Sequence, residues 1–464
     1  MKISVENLGV LKKAEFELGD LTLILGHNNT GKTYATYALF GFLYRWHREH
    51  LLQVDLPGST ISALLSGGIT RINVEPYVAI ADKLIEEGCK TYTRQLYRIF
   101  ASRQDLFKNT TFRLELDLEM VRTAARRAFK SNMRTDKDDL LTLSKNRGEM
   151  ELVVTLLMGK ETLPIEFIRH IISNGVIELL FSDALPRPFV ASTQRTGAAI
   201  FRKELDFTRS RLLKELIQTD ELDDPMELLF KSYQDYPLPV EANVEFIRRL
   251  ETVAKEESFL VENHKDLINE FSDIVGGEYV AESNDTVYFK PAGRPLRLTM
   301  NESSSSVRSL LDIGFYLRHV AKPGDLLIVD EPELNLHPEN QRRIARLFSR
   351  LVNLGIRVFV TTHSDYLAKE LNLLIMLNQD KPYVKEIAEK EGYRTEELIA
   401  AERIRVYVAE TALTNIGNNK RRSRHPTLVP ARIDPELGIE ARSFDDIINK
   451  MNEIQDAVLW GGEE

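Results

Sequence analysis

The segment 26–33 constrains the fold of this chain more than any other part of its sequence. It reads GHNNTGKT, which fits the phosphate-binding pattern GxxxxGK[ST]. The apolar run Leu21–Leu25 comes directly before it and predicts a buried strand, and the alanines and aromatic residues of 34–40 predict the start of a helix. A glycine loop between a strand and a helix directs backbone N–H groups toward an anion. The sequence therefore predicts an α/β fold that binds the phosphates of a nucleotide.

Several side chains of this loop have predicted roles. Lys32 is expected to place its ammonium group on the β- and γ-phosphates, and Thr33 to offer its hydroxyl to Mg²⁺. The predicted cofactors are therefore ATP and Mg²⁺. The other residues predicted to contact the nucleotide are Gly26, His27, Asn28, Asn29, Thr30, Gly31 and Tyr34.

A second motif, in the last third of the chain, supplies acidic side chains. Residues 326–329 are apolar and predict a buried parallel strand that ends in Asp330 and Glu331. An acidic pair at the carboxyl end of such a strand lies where an α/β nucleotide site needs it. Asp330 is expected to hold Mg²⁺, and Glu331 to orient or deprotonate the attacking water. A further strand, 356–362, is expected to deliver His363 to the γ-phosphate, so the predicted catalytic residues are Lys32, Glu331 and His363.

Length and composition limit the remaining choices. At 464 residues the chain is longer than one ordinary core, which predicts two or three structural units. Its 43% hydrophobic and 28% charged residues are typical of soluble globular proteins, and its net charge of −9 argues against coating nucleic acid. The first residues alternate like a strand rather than a signal peptide, and no apolar stretch approaches the roughly 20 residues that cross a bilayer. A cytoplasmic protein without membrane contact is expected, and the single cysteine, Cys89, suits that compartment.

The motifs resemble those of ABC-type ATPases, in the branch that contains the SMC, RecF and OLD-like proteins. Residues 26–33 are similar to the Walker A motif of that family, residues 330–338 (DEPELNLHP) to Walker B with the D-loop, and residues 361–364 (TTHS) to the switch histidine. Residues 2–18 are similar to the opening strands that lie over the nucleotide base. The resemblance implies an α/β, ABC-type P-loop ATPase head, with a mixed central sheet, antiparallel strands and large helical insertions.

The resemblance also implies further site residues. In this family a signature motif supplies serine and backbone N–H groups to ATP that a partner subunit holds. Its counterpart here is residues 303–309 (SSSSVRS), which depart from the usual leucine-serine-glycine-glycine pattern, and Ser304 and Ser305 are the favoured contacts. Asn335, in the D-loop-like segment, is expected to contact the nucleotide as well.

A short strand and polar turn at 188–197 provide a third candidate for the metal site. In the resembling ATPases a strand followed by glutamine brings a carbonyl oxygen to Mg²⁺. Gln194 is the candidate here, and Gln53 is the alternative. Arg195, beside Gln194, is a candidate for contact with phosphate or with a neighbouring subunit.

The region between the first helix and the serine segment is mostly helical in pattern. Residues 244–271 predict one long charged helix, whereas 278–281, 286–289 and 296–300 alternate like a small antiparallel meander. The predicted domains are the N-terminal part of the ATPase head (1–50), a helical insertion (51–185), a strand and loop returning to the head (186–204), a second helical insertion (205–275), the C-terminal part of the head (276–400) and a C-terminal segment (401–464).

Three functions fit these observations. After Asp365 no set of carboxylates is typical of a metal-dependent nuclease, so the chain resembles the ATPase half of an OLD-like enzyme. The most similar group is the AriA-like ATPases of PARIS antiviral systems, followed by the PtuA-like ATPases of Septu. In such systems a homo-oligomer, formed through ATP-sandwiched heads, holds a separate toprim-type effector nuclease (AriB-like) until a phage trigger protein releases it.

The other two functions are a RecF- or SMC-like repair ATPase that acts on DNA and a nucleotide-dependent scaffold that hydrolyses little ATP. Two basic clusters, 122–137 and 420–424, are candidates for contact with nucleic acid. Each is equally compatible with a solvated face or with a surface that docks an acidic partner.

Overall fold

The computed structural model describes residues 1–48, 51–52, 54–134, 139–157, 164–200, 236–282, 286–415, 422–440 and 453–454. These residues form two compact units. The first contains Met1–Ser4, Gly41–Leu96 and Thr110–Arg187, and the second contains Val5–Phe40, Tyr97–Asn109 and the described residues from Pro188 onward. Every residue predicted for the nucleotide site lies in the second unit.

Strands and helices alternate along both units. The strands are β1 (Lys2–Leu8), β2 (Leu11–Glu17), β3 (Leu21–Leu25), β4 (Ile69–Asn73), β5 (Thr111–Glu115), β6 (Phe129–Arg134), β7 (Asp139–Lys145), β8 (Glu151–Leu156), β9 (Pro188–Ala191), β10 (Gly277–Glu282), β11 (Thr286–Pro291), β12 (Leu298–Thr299), β13 (Leu326–Asp330), β14 (Arg357–Thr362), β15 (Ile404–Thr414), β16 (Ser423–Pro430), β17 (Arg432–Asp434) and β18 (Gly438–Glu440).

The α-helices are α1 (Lys32–Arg48), α2 (Gly58–Gly67), α3 (Glu75–Ala79), α4 (Ala81–Thr93), α5 (Leu96–Ile99), α6 (Leu118–Arg126), α7 (Ile165–Phe181), α8 (Arg195–Ile200), α9 (Leu238–Arg248), α10 (Leu250–Val253), α11 (Phe259–Asn263), α12 (Lys265–Val275), α13 (Ser305–Ser309), α14 (Leu311–Phe315), α15 (Pro338–Asn353), α16 (Asp365–Met376) and α17 (Pro382–Lys390). A π-helical turn, Tyr316–Val320, continues α14. None of the helices in the described ranges is long and apolar enough to cross a membrane.

The second unit is built on a mixed sheet, which confirms the predicted α/β class. Its strand order is β1-β2-β16-β15-β3-β14-β13-β9. The strands from β15 to β9 are parallel, and β16 pairs with β15 in the antiparallel sense. Every residue of β3 and β13 is buried, as expected for parallel strands that are covered on both faces. Since β3, β14 and β13 are neighbours, the segments that follow them meet at one edge of the sheet.

The C-terminal segment contributes to this same sheet. The ATPase head was predicted to end at residue 400. However, β15 pairs with β3 over the register from Ile404 opposite Leu21 to Val408 opposite Leu25. The described part of 401–464 therefore does not form a separate segment. The amphipathic pattern of residues 444–454 predicts a further helix, and all of it except 453–454 lies outside the described residues.

The long helix predicted at 244–271 is divided into α9, α10, α11 and α12. Ser258 is one cause of the division, because its side chain caps α11 by accepting from the N–H of Leu260 at 3.2 Å. The Ser258 hydroxyl also donates to the carbonyl of Leu317, which holds this break inside the unit. Helical periodicity of the apolar residues continues across the break, which is why the sequence pattern did not reveal it.

The insertion predicted to be helical at 51–185 contains an antiparallel sheet. Its order is β4-β8-β7-β6, with all neighbouring strands antiparallel. Leu141 and Leu143 on β7 are buried on either side of the polar Thr142, and Leu152 and Val154 on β8 are buried on either side of the half-buried Val153. In the second unit, β10, β11 and β12 form the antiparallel meander that the sequence predicted, although β12 is only two residues long.

One buried carboxyl group stands out in the core of the second unit. Asp312, on α14, is 1% exposed, and among the described residues neither of its carboxylate oxygens receives a hydrogen bond. Burial raises the pKa of Asp312 to about 7, although the positive charge of Arg195 acts in the opposite direction. The folded protein therefore favours the protonated form of this side chain.

This carboxyl group makes stability depend on pH. A carboxyl with a raised pKa in the folded state contributes stability that is lost as the pH rises from the unfolded to the folded pKa. We expect the stability of the wild type, measured against Asp312→Asn, to fall between about pH 4 and pH 7, by at most about 4 kcal/mol. Thermal unfolding across this pH range measures the difference.

Asp434→Asn provides a control of opposite sign. Asp434 accepts from the backbone N–H groups of Leu437 and Glu436, which lowers its pKa. The advantage of the wild type over this second variant should therefore grow as the pH rises. If the difference between wild type and Asp312→Asn does not change with pH, the ionisation of Asp312 is not coupled to folding.

Candidate nucleotide-binding site

Two glycines of the P-loop, defined as residues 26–33, have a backbone that other residues rarely adopt. Gly26 has φ +146° and Gly31 has φ +99°. A Cβ atom on Gly31 would lie 2.6 Å from Cγ of Leu11, and one on Gly26 would lie 2.7 Å from the carbonyl oxygen of Ala409. Both positions therefore require glycine for conformation and for space. Asn29, at φ +64°, is a residue type that tolerates the left-handed region.

Lys32 folds back over the loop that precedes it. Its Nζ atom donates to the carbonyl oxygens of Gly26 at 2.8 Å and His27 at 2.9 Å. Burial lowers the pKa of Lys32, and the carboxylates of Glu331 and Asp330 oppose this effect. The hydroxyl of Thr30 also donates to the carbonyl of His27. The ammonium group is therefore held at the centre of the loop.

The hydroxyl of Thr33 meets the acidic motif directly. It donates to Oδ2 of Asp330 at 3.3 Å, while the hydroxyl of Thr361 donates to Oδ1. Asp330 is fully buried, and burial raises its pKa to about 6. A hydroxyl and a carboxylate are oxygen ligands of the kind that Mg²⁺ uses together with phosphate oxygens. The described residues hold no group of three or more His, Cys, Asp or Glu side chains that could bind a metal by itself.

Gln194, the third predicted metal ligand, lies beside α1. Its Oε1 atom accepts from the hydroxyl of Tyr37 at 3.1 Å and from the hydroxyl of Thr193 at 2.9 Å. Burial raises the pKa of Tyr37, and the nearby carboxylate of Asp330 raises it further. Two hydroxyl donors thus occupy the carbonyl oxygen of Gln194. The alternative, Gln53, lies outside the described residues.

His363 is held between two carboxylates. Its Nδ1 atom lies 3.2 Å from Oε1 of Glu333 and 3.7 Å from Oε1 of Glu331. The same oxygen of Glu333 accepts from the backbone N–H of His363 at 2.8 Å and from the hydroxyl of Thr362 at 2.7 Å. No role was predicted for Glu333. The sequence feature that could have revealed it is a second glutamate two residues after Glu331, at a position that the structure buries.

The serine segment presents Ser304 and Ser305 to solvent, whereas Ser303 is buried. Ser304 and Ser305 are exposed, and the Ser304 side chain caps α13 by accepting from the N–H of Val307. Within the described ranges, no hydrogen bond connects either serine to the P-loop of the same chain. Asn335 is also exposed and has a left-handed backbone, with φ +61°.

The surroundings of Arg195 differ from those predicted from the sequence. A loop arginine facing phosphate or a neighbouring subunit was considered, but the side chain of Arg195 is fully buried. Its guanidinium donates to four backbone carbonyl oxygens, those of Ser192, Ser309, Asp330 and Glu331, at 2.7 to 2.8 Å. Arg195 therefore contacts the backbone of the acidic motif rather than a ligand.

Tyr34 and the basic clusters complete the predicted set. The ring of Tyr34 stacks on Phe100 with centroids 5.2 Å apart and covers Gly9, where a Cβ atom would lie 2.2 Å from it. In the first cluster, Arg122 pairs with Glu119 and Arg127 with Asp183, so these arginines already have acidic partners. Lys137, Lys420 and Arg421 lie outside the described residues.

Comparison with known proteins places similarity in the same unit as this site. A protein-family model described as an AAA ATPase domain matches residues 198–368. Among curated proteins, no sequence matches this chain.

The similar solved structures include three SMC heads. The Smc head bound to the C-winged helix domain of ScpA is 12% identical, with 93% of this chain and 97% of that chain covered and a TM-score of 0.34. The Pyrococcus furiosus Smc head with an extended coiled coil, bound to the C-terminal domain of ScpA, is 14% identical, with 98% of each chain covered and a TM-score of 0.31. The SMC head from Thermotoga maritima is 11% identical, with 93% and 98% covered and a TM-score of 0.29.

The fold and the family match fall in the same unit. The mixed sheet carries the P-loop between β3 and α1, the acidic pair at the end of β13 and the histidine after β14. The match to an AAA ATPase domain falls within the unit that contains all three. Residues 198–368 of this unit are therefore similar to an AAA ATPase domain.

The P-loop glycines provide a direct test of the site. We expect Mg-ATP to raise the melting temperature of the wild type but not that of Gly31→Ala, because the added Cβ would collide with Leu11 and strain the loop. Gly293→Ala is the matched control, since Gly293 also has a positive φ, +69°, but no atom within 4 Å of the added Cβ. Stabilisation of Gly31→Ala by ATP to the same extent as wild type would exclude this loop as the binding site.

Proposed function

We propose that this chain binds Mg-ATP between the P-loop and the acidic pair and hydrolyses it to ADP and phosphate. The observation that best supports this is the 3.3 Å contact between the Thr33 hydroxyl and the Asp330 carboxylate. These residues come from two motifs that are far apart in the sequence, and each has the chemistry of a Mg²⁺ ligand. The match to an AAA ATPase domain agrees with this assignment.

Each residue of the site has a role in this proposal. Loop amides and Lys32 bind the phosphates, and Mg²⁺ bound at Thr33 and Asp330, with Gln194 nearby, neutralises negative charge on them. Glu331 orients or deprotonates the attacking water. His363 contacts the γ-phosphate, and its contacts with Glu333 fix the orientation of its ring.

We further propose that two copies pair through ATP. Ser304 and Ser305 are exposed and make no hydrogen bond to the P-loop of their own chain within the described residues. Exposed serine side chains at the start of α13 suit the phosphate of a nucleotide held by a second copy. Asn335, also exposed, is proposed to lie at the same interface. ATP then stabilises the paired assembly, and its hydrolysis loosens it.

Replacement of the proposed general base separates binding from turnover. We expect Glu331→Gln to bind Mg-ATP but to reduce turnover by about 10²-fold or more, because the amide cannot accept a proton from water. The same variant should accumulate as a paired species with ATP, measured by particle mass. Lys32→Ala is the control, since it should neither bind ATP nor pair. Turnover of Glu331→Gln at the wild-type rate would remove Glu331 from this role.

For the biological role, we propose an ATP-dependent sensor and scaffold subunit of a bacterial anti-phage complex. In this role the oligomer holds a separate effector nuclease, AriB-like and toprim-type, and a phage trigger protein releases it. The support is the resemblance of the motif 330–338 to AriA-like ATPases, together with the pairing through ATP proposed above. The chain would then be regulatory, with destructive chemistry supplied by its partner.

This role predicts a stable complex with the product of an adjacent gene. We expect co-expression to yield a particle whose mass includes that nuclease, and whose composition changes when trigger protein is added. ATPase activity stimulated by DNA, with binding that weakens steeply with salt, would instead favour the repair function. An adjacent gene whose product has no nuclease features and does not co-purify would contradict the defence role while leaving the ATPase proposal intact.

A further inference from the structure

We propose that Arg195 is a positioning residue that connects the two ATP sites of a paired assembly. Through Arg195, contact of Ser304 and Ser305 with the nucleotide of a partner subunit changes the placement of Glu331 in the subunit's own site. This inference rests on the proposed function, because it requires paired heads that hydrolyse ATP. It adds a route by which one site senses the occupancy of the other.

First, Arg195 binds carbonyl oxygens on three separate segments. Nη1 donates to the carbonyls of Ser192 at 2.8 Å and Asp330 at 2.7 Å, and Nη2 donates to the carbonyl of Glu331 at 2.8 Å. Nε donates to the carbonyl of Ser309 at 2.7 Å. One rigid guanidinium plane thus joins the end of β9, the end of β13 and the end of α13.

The second step is the conformation of Glu331. Its φ of +54° lies in the left-handed region, which a glutamate adopts only when its surroundings hold it there. The carbonyl groups on both sides of this backbone turn are those of Asp330 and Glu331, and both accept from Arg195. Two backbone groups also contact this turn: the Glu331 N–H donates to the carbonyl of Thr361 at 3.0 Å, and the Glu331 carbonyl accepts from the N–H of Leu334 at 3.3 Å. Arg195 is the side chain that bonds the carbonyls on both sides of Glu331, so its position affects the direction of the Glu331 side chain.

The third step is the link to the serine segment. α13 begins at the exposed Ser305 and ends at Ser309, whose carbonyl is bound by Arg195. The Ser309 hydroxyl also donates to the carbonyl of Leu334 at 3.1 Å, next to Asn335. The same hydroxyl donates to the carbonyl of Ser306 at 2.9 Å, which ties the end of α13 to its start. A displacement at the start of α13 would therefore reach Ser309 and, through Arg195, the backbone of Glu331.

The fourth step is the burial of Arg195, which makes the connection rigid. Its side chain is fully buried, and each of its three guanidinium nitrogens donates to at least one carbonyl oxygen. A buried arginine with its donors on four carbonyls cannot shift without leaving several polar groups unsatisfied. Lysine in its place would keep the charge, but its single nitrogen cannot reach carbonyls on three separate segments.

A purely structural role for Arg195 is the competing explanation, and a matched arginine separates the two. Arg350 is also buried, at 5% exposed, and bonds the carboxylates of Asp266 and Glu270, neither of which belongs to the site. Arg350→Lys therefore perturbs the contacts of another buried arginine in the same unit. A loss that comes only from weaker packing should appear in both variants.

The test compares Arg195→Lys, Arg350→Lys and the wild type by melting temperature, Mg-ATP affinity, kcat and the Hill coefficient of ATP hydrolysis. We expect the wild type to have a Hill coefficient above one. Arg195→Lys should keep its Mg-ATP affinity, lose about tenfold in kcat and approach a Hill coefficient of one. Arg350→Lys should retain the kcat and the Hill coefficient of the wild type, even if its melting temperature falls equally.

Several results would overturn the connection. These are wild-type kcat and cooperativity in Arg195→Lys, an equal loss of both in Arg350→Lys, or a Hill coefficient of one in an active wild type. If Arg195→Lys does not fold, Ser309→Ala decides, because it removes the hydroxyl bonds to the carbonyls of Ser306 and Leu334 and should lower the Hill coefficient; an unchanged value refutes the inference. An inactive wild type, by contrast, refutes the proposed function itself.

Discussion

The contact between the Thr33 hydroxyl and the Asp330 carboxylate is the interaction on which the rest of the site depends. It joins the first turn of α1 to the end of β13 and sets the place where a metal and a triphosphate would be shared. Asp330 is buried, and burial raises its pKa to about 6, so the charged form of the carboxyl is disfavoured without a nearby cation. Binding of Mg²⁺ with nucleotide would relieve this, which couples ligand binding to the stability of the sheet edge.

The parallel sheet explains why the motifs converge. β3, β14 and β13 are consecutive neighbours, so the P-loop, His363 and the acidic pair all follow carboxyl ends at the same edge. Each strand is covered on both faces, and this leaves its carboxyl end as the place where polar groups can be presented to a ligand. The serine segment lies at the start of α13 and does not follow one of these strands. In the proposed mechanism it therefore contacts the nucleotide of a second copy.

Buried polar groups around this edge differ in how they are satisfied. The guanidinium of Arg195 has four carbonyl partners, whereas the oxygens of Asp312 have no hydrogen-bond donor among the described residues. The bonds of Arg195 hold the backbone of Glu331 in its left-handed conformation. The surroundings of Asp312 make the charged form of its carboxyl unfavourable. Both depend on low local dielectric, so both would respond to small movements of α13 and α14 that change the access of water.

The sequence by itself determined the α/β class, the P-loop, the strand ending in Asp330 and the strand leading to His363, because these are local patterns of apolar runs and glycines. It did not reveal that β15 completes the sheet, that the stretch after Val244 is broken by the Ser258 cap, or that Glu333 holds His363. Nor did it distinguish a buried Arg195 from an arginine that faces a ligand. Tertiary structure decided these points, since strand pairing, burial and hydrogen bonds between distant segments depend on which surfaces meet, and short-range periodicity carries no information about that.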